Sequence, residues 1–221
     1  MSKTIQSQYL SIKNSLDSNI TLVAVSKTHT VGAIQEIYNL GQRDFGENKV
    51  QELCEKQQQL PNDIQWHLIG HLQTNKVKFI VPFVYLIHSV DSVDLLIKIN
   101  VEAEKINRKI SVLLQVKIAT EETKFGLSKQ ECLFILQENL QGKFPFIEIK
   151  GLMGMASFTN DKKLIANEFQ VLESLYKSIK NENNLPILSM GMSDDFLIAI
   201  ENGSNMIRVG SKIFGNRNYD L

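Results

Sequence analysis

About eight short apolar runs, each followed by a segment with helical spacing, succeed one another between Ile20 and Val209 of this 221-residue chain. A strand buried on both faces reads as a continuous apolar run, whereas a surface helix repeats its apolar residues every three or four positions. Alternation of the two leaves few arrangements, because parallel neighbours must be joined by a crossing helix. Strands are expected at Ile20–Val25, Arg43–Phe45, Gln65–Ile69, Tyr85–His88, Ser111–Val116, Glu148–Met153, Leu185–Ser189 and Met206–Val209. Between them, helices are expected at Val31–Leu40, Glu47–Gln59, from about Thr74 to Pro82, from an Asp91 cap to about Lys105, and after a Ser128/Glu131 capping box. Ile165, Phe169, Leu172, Tyr176 and Ile179 lie on one face of a long amphipathic helix, and Ser193-Asp194-Asp195 caps another that runs to Glu201. One more helix, up to Leu16, precedes the first strand. The expected fold class is therefore α/β: a single domain over residues 1–221, a (β/α)8 TIM barrel with an extra N-terminal helix. Periodicity does not reveal closure, so an open doubly wound sheet is the structural alternative.

Hydrophobic residues make up 43% of the chain, enough for a sizeable core. Lys+Arg 24 balance Asp+Glu 24, so no basic field draws the protein to nucleic acid or to a membrane surface. A small-molecule partner is favoured. The N-terminus lacks an apolar signal core, no run reaches transmembrane length, and Cys54 and Cys132 are paired by no motif. These features place the chain in the cytoplasm. No metal-ligand spacing, G-x-S-x-G elbow, P-loop or G-x-G-x-x-G fingerprint is present.

If the barrel closes, the residues just after each strand share one mouth. Leu22-Val23-Ala24-Val25-Ser26 ends there in Lys27. A lysine desolvated at a strand end has its amine pKa pushed down and becomes a nucleophile for a carbonyl carbon, although most lysines simply reach into solvent. The same mouth gathers Asn48 after the second strand, Ser193 after the seventh, and Arg208, Gly210 and Ser211 from the eighth. Loops after strands seven and eight commonly hold phosphate in such barrels, with glycine allowing close backbone approach and serine offering amide and hydroxyl. Singly, Ser193 reads as a helix cap and Gly210 as a turn glycine. Together with a lysine across the mouth, they point to a ligand carrying both a carbonyl and a phosphate; pyridoxal 5′-phosphate and sugar phosphates both qualify.

Other polar residues carry less. His67, His71 and His88 lie at or near strands, where histidine is usually a hydrogen-bonded core group. Met153, Met155, Met190 and Met192 cluster after strands six and seven, as core filler or as packing for a flat ring. Lys76 and Lys78 read as a solvated face, and the adjacent Glu121 and Glu122 as loop carboxylates without acid/base geometry.

Ala24-Val25-Ser26-Lys27-Thr28, Phe45-Gly46-Glu47-Asn48, Trp66-His67-Leu68-Ile69-Gly70, Gly151-Leu152-Met153, Leu188-Ser189-Met190-Gly191-Met192-Ser193-Asp194-Asp195 and Arg208-Val209-Gly210-Ser211 resemble, in that order, the motifs of the pyridoxal-phosphate homeostasis proteins. The resemblance spans Leu22 to Gly215. It implies a barrel related to the N-terminal domain of alanine racemase, with Lys27 carrying pyridoxal 5′-phosphate as a Schiff base. By the same resemblance Ser193, Gly210 and Ser211 would hold the phosphate, Arg208 would face the pyridine nitrogen, and Asn48 would lie near the ring's polar edge. Two positions depart from the family pattern: Ser211 stands where threonine is common, keeping the hydroxyl, and His71 where proline is common.

An arginine at the pyridine nitrogen makes the ring a weaker electron sink than an acidic partner would. A racemase of this kind also needs a second acid/base, a tyrosine from another domain; of Tyr9, Tyr38, Tyr85, Tyr176 and Tyr219, only Tyr219 is expected near the mouth. The expectation is thus a monomeric carrier with no catalytic residues, buffering the cofactor and delivering it by transient contact with pyridoxal-phosphate-dependent apo-enzymes. The alternatives are an amino-acid racemase or decarboxylase, and a Schiff-base sugar-phosphate aldolase.

Overall fold

The computed structural model describes residues 4–121 and 125–215. Eight strands form a closed, all-parallel barrel in sequence order, which rules out the open sheet. They are β1 (Thr21–Val25), β2 (Asp44–Glu47), β3 (Gln65–Leu68), β4 (Leu86–Val90), β5 (Ile110–Gln115), β6 (Ile147–Met153), β7 (Ile187–Ser189) and β8 (Met206–Val209). Closure is made by β1 and β8, paired from Thr21↔Met206 to Ala24↔Val209, while β7 and β8 share the single register pair Ser189↔Met206.

The expected extra helix is α1 (Ile5–Lys13), capped by Thr4 and docked through Tyr9 and Ile12. The outer ring continues with α2 (Val31–Asn39), α3 (Val50–Gln57), α4 (Val77–Ile80), α5 (Val93–Lys105), α6 (Lys129–Leu140), α7 (Lys162–Ile179), α8 (Phe196–Glu201) and α9 (Ser211–Phe214). The capping box at Ser128 and Glu131 forms as expected. In α7 the expected face is buried, and Phe169 is fully enclosed, a burial worth roughly 2–3 kcal/mol.

Three expected boundaries are corrected. Glu47 belongs to β2, and α3 begins only at Val50, because Glu47 pairs with Leu68 in the sheet. Ser92, not Asp91, caps α5 by accepting from Leu95 N. Thr74–Lys76 is a single 3-10 turn ahead of the short α4.

Alternation along each strand divides the core in two. Leu22, Ala24, Phe45, Trp66, Leu68 and Ile87 face the helices. Val23, Leu86, Leu113, Met153 and Met206 fill the barrel interior, beside the buried polar side chains of His67, His88, Ser189 and Arg208. The two histidines are thus hydrogen-bonded core groups, as expected for strand positions. No described helix is long and apolar enough to cross a membrane, and no cluster of described His, Cys, Asp or Glu residues suits a metal ion. Tyr219 and Glu122 lie outside the described residues.

Candidate binding site at the carboxyl ends of the strands

A cavity of about 810 Å³ opens at the carboxyl end of the barrel, a size that suits a small organic ligand. Lys27, Asn48, Ser193, Arg208, Gly210 and Ser211 all line it, so one site gathers every residue expected to bind the ligand. A smaller cavity of about 270 Å³ lies at the opposite end, lined by Asp44 and Tyr85 among others.

Lys27 stands two residues beyond β1, half-buried, on a tight turn. The next residue, Thr28, has φ 66, a left-handed conformation that costs a non-glycine residue about 1 kcal/mol or more. A buried ionic cluster holds it there. Thr28 N donates to Glu52 Oε1 at 2.6 Å, and Lys56 Nζ donates to the Ser26 carbonyl, Glu47 Oε1 and Glu52 Oε1, each at 2.7 Å. The Ser26 hydroxyl adds a bond to Glu47 Oε1 at 2.7 Å. Burial pushes the Glu47 carboxyl up to about 7 against the pull of Lys56. This cluster was not anticipated from the sequence, where Glu47 and Lys56 fall within one expected helix; their spacing of nine carried no signal.

Arg208 enters from β8 and is almost completely enclosed. Its Nη1 donates to the Ser189 carbonyl at 3.1 Å and to Ser189 Oγ at 2.6 Å; Nη2 donates to the Gly154 carbonyl at 3.1 Å. Burial lowers its pKa to about 10, partly offset by Asp195, so it stays charged at neutral pH. A guanidinium has five N–H donors, and three bonds to backbone and hydroxyl leave donors for a ligand.

Ser193 lines the cavity and is not a helix cap: α8 starts at Phe196, and Ser193 Oγ accepts from Gly210 N at 3.2 Å. The loops after β7 and β8 are thereby joined at the position expected for phosphate. Asp195 Oδ1 accepts from Met192 N at 2.5 Å and shapes the same loop. Gly210 packs closely on β1: a Cβ there would sit 3.1 Å from the Val25 carbonyl oxygen, tighter than an ordinary contact.

Asn48 is set by a neighbour. A Cβ on Gly70 would lie 2.9 Å from Asn48 Cα and closer still to its carbonyl oxygen, so only glycine lets the loops after β2 and β3 cross. His71 contributes to the wall, hydrogen-bonded to Asp91 Oδ2 at 2.9 Å and stacked on Phe125. Of the methionines, Met155 and Met192 reach the cavity, whereas Met153 and Met190 are core. Glu168 of α7 was also missed by sequence reasoning. It accepts from Ser157 N and Oγ and from Thr120 N, tying the loops after β5 and β6; burial pushes its carboxyl up, but these bonds hold it below the usual range.

The family described as alanine racemase, N-terminal domain, matches residues 2–218. The chain is 42% identical over 203 residues to the pyridoxal phosphate homeostasis protein of Schizosaccharomyces pombe, covering 90% of this chain and 85% of that one. It is 42% identical over 212 residues to the human protein of the same name, covering 90% and 77%. PipY of Synechococcus elongatus, solved with pyridoxal phosphate bound, superposes with TM-score 0.85 at 34% identity, over 96% of this chain and 100% of that one. Alanine racemase of Clostridium difficile shares the fold, with TM-score 0.78 at 16% identity over 98% of this chain and 58% of that one. The chain belongs to the alanine racemase N-terminal-domain family and, within it, to the pyridoxal phosphate homeostasis proteins.

Proposed function

We propose that this protein binds pyridoxal 5′-phosphate on Lys27 and acts in cofactor homeostasis, buffering and delivering it without turning over a substrate. The observation that carries the reading is a single cavity lined by a primary amine, Lys27, a buried permanent cation, Arg208, and the hydroxyls of Ser193 and Ser211. When bound, the cofactor supplies an aldehyde that condenses with a primary amine, and a ring that can draw electrons from it.

The residues of the chain divide the work by chemistry. Lys27 is the amine, held on its strained turn by the Lys56–Glu47–Glu52 cluster. Ser193, Gly210 and Ser211 take the phosphate, where hydroxyl and amide donors answer an anion. Asn48 would lie near the ring's polar edge. Arg208 would face the ring nitrogen and keep its own proton there, which favours holding the cofactor over stabilising a carbanion. The names of the homologues support the homeostasis role.

Among the described residues, no tyrosine lines the cavity. Tyr9, Tyr38 and Tyr176 hydrogen-bond to Gln42, Asp63 and the Leu185 carbonyl, and Tyr85 borders the opposite cavity. Cys54 and Cys132 are both free thiols, which suits the reducing cytoplasm. We take residues 1–221 as one domain and the protein as a monomer that meets apo-enzymes transiently.

Borohydride reduction of the purified protein, followed by peptide mass mapping, tests the assignment. The reduced pyridoxyl-phosphate mass is expected on the Lys27 peptide and absent from Lys27→Ala, whose circular dichroism is unchanged. Trapping of a sugar phosphate alone overturns the cofactor; steady racemisation or decarboxylation of an amino acid overturns the non-catalytic role.

A further inference from the structure

A file of polar side chains runs through the otherwise apolar barrel interior, from the binding cavity to the opposite end. Arg208 Nη1 lies 2.6 Å from Ser189 Oγ, Ser189 Oγ 3.5 Å from His88 Nδ1, His88 Nε2 2.8 Å from His67 Nδ1, and His67 Nε2 3.0 Å from Asp44 Oδ1. Five strands contribute: β8, β7, β4, β3 and, through Asp44 at its start, β2. Asp44 borders the small cavity at the amino ends of the strands, and its side chain is 24% exposed; the His67 side chain is fully enclosed.

With both rings neutral, the two ends give every bond between them one direction. A guanidinium only donates, so Ser189 Oγ accepts from Arg208 and has its own proton to give. Its nearest remaining partner is His88 Nδ1, at 3.5 Å, which accepts from it. A carboxylate only accepts, so His67 Nε2 carries a hydrogen toward Asp44. Between the rings a single hydrogen is needed, and it comes from His88 Nε2. We infer that Ser189, His88 and His67 are positioning residues for Arg208: they form one directed hydrogen-bond file from the guanidinium to Asp44, with both imidazoles neutral and protonated on Nε2.

Burial, His67 and Arg208 all disfavour a charged His88, whose pKa is held well below the usual histidine value. The other groups facing the pair are Asp44 from β2, Tyr85 just before β4, ring to ring with His67, and the hydroxyl of Ser189 from β7. A proton added to His67 Nδ1 would reverse the file. His88 would then donate from Nδ1, and the Ser189 hydroxyl proton would lose its acceptor in a dry interior. The far end of the barrel is thus coupled to the guanidinium in the cavity. The use of that guanidinium toward a pyridine ring rests on the proposed function; the file itself does not.

Nitrogen-15 NMR of the full chain tests the file, and with four histidines the ring signals are assignable by substitution. Without added cofactor, His67 and His88 are expected as Nε2–H tautomers. Separate Nη signals are expected from an Arg208 guanidinium whose rotation is arrested, and His88→Leu should merge them. His88→Gln should keep them apart, because its carbonyl accepts from Ser189 and its amide donates to His67. With pyridoxal phosphate, retention should weaken about tenfold in His88→Leu and recover in His88→Gln, the scale of one hydrogen bond to a charged group. An Nδ1–H or imidazolium form of either ring in the wild type overturns the file. Arrested Arg208 signals in His88→Leu overturn the positioning role, whether or not the cofactor binds. Failure of the unaltered protein to bind pyridoxal phosphate overturns the proposed function, while the tautomers and Nη signals still decide the file.

Discussion

Lys56 Nζ lies 2.7 Å from Glu47 Oε1 inside the barrel wall, with side chains 7% and 0% exposed, and the pair braces the turn that carries Lys27. Glu47 has a folded-state pKa raised from 4.5 to about 7. A raised pKa contributes stability that is fully present below the unfolded value and is lost as pH rises through the folded one. Wild-type stability relative to Glu47→Gln should therefore fall between about pH 4.5 and about 7, as read from urea unfolding. Lys56→Met should cost about 3 kcal/mol above this window and less below it, where Glu47 takes a proton. Equal costs at both ends would show that Glu47 does not titrate in the fold.

Arg208→Lys should behave as a severe change. An ammonium is a point charge on a flexible stem and cannot match the Ser189 carbonyl, Ser189 Oγ and the Gly154 carbonyl as a planar fork does. A stability loss of about 2 kcal/mol and about tenfold weaker pyridoxal phosphate retention are expected, by thermal unfolding and absorbance titration. Retention at wild-type strength would mean that the charge, not the fork, is what the site uses.

Ser193→Ala and Ser211→Ala separate the phosphate from the rest of the ligand. Each should weaken pyridoxal phosphate about five- to tenfold, the scale of one hydrogen bond to an anion, and leave unphosphorylated pyridoxal unaffected. Equal losses for the two ligands would place the phosphate elsewhere in the cavity.

Gly70→Ala probes the crossing of the loops after β2 and β3. The added methyl would meet Asn48 backbone, which cannot rotate away as a side chain can. Destabilisation of about 2–4 kcal/mol is expected from overpacking and backbone displacement. Calorimetry compared with cofactor titration tells whether the strain is absorbed by unfolding or by moving Asn48.

The succession of strands and helices could be read directly because a buried strand and an amphipathic helix leave different local periods. The β8 limits Met206–Val209 and the Ser128/Glu131 capping box are reproduced as read. Boundaries slipped where a residue's state depends on a distant partner. Glu47 looks like the start of a helix until Leu68 pairs with it across the sheet, and Asp91 is as good a cap by composition as Ser92.

That the six expected residues line one cavity was legible for a similar reason: a barrel places every strand end at one mouth, so order along the chain becomes proximity in space. What supports them was not. The ties of Lys56 to Glu47, Glu168 to the two loops, and Arg208 through Ser189 and two histidines to Asp44 join residues from different strands and helices. No spacing announces such pairs. Element order and strand-end chemistry are local properties, encoded within a few residues. The buried ionic cluster and the directed hydrogen-bond file come into being only when the sheet closes and takes those side chains out of water, where each polar group must find a partner.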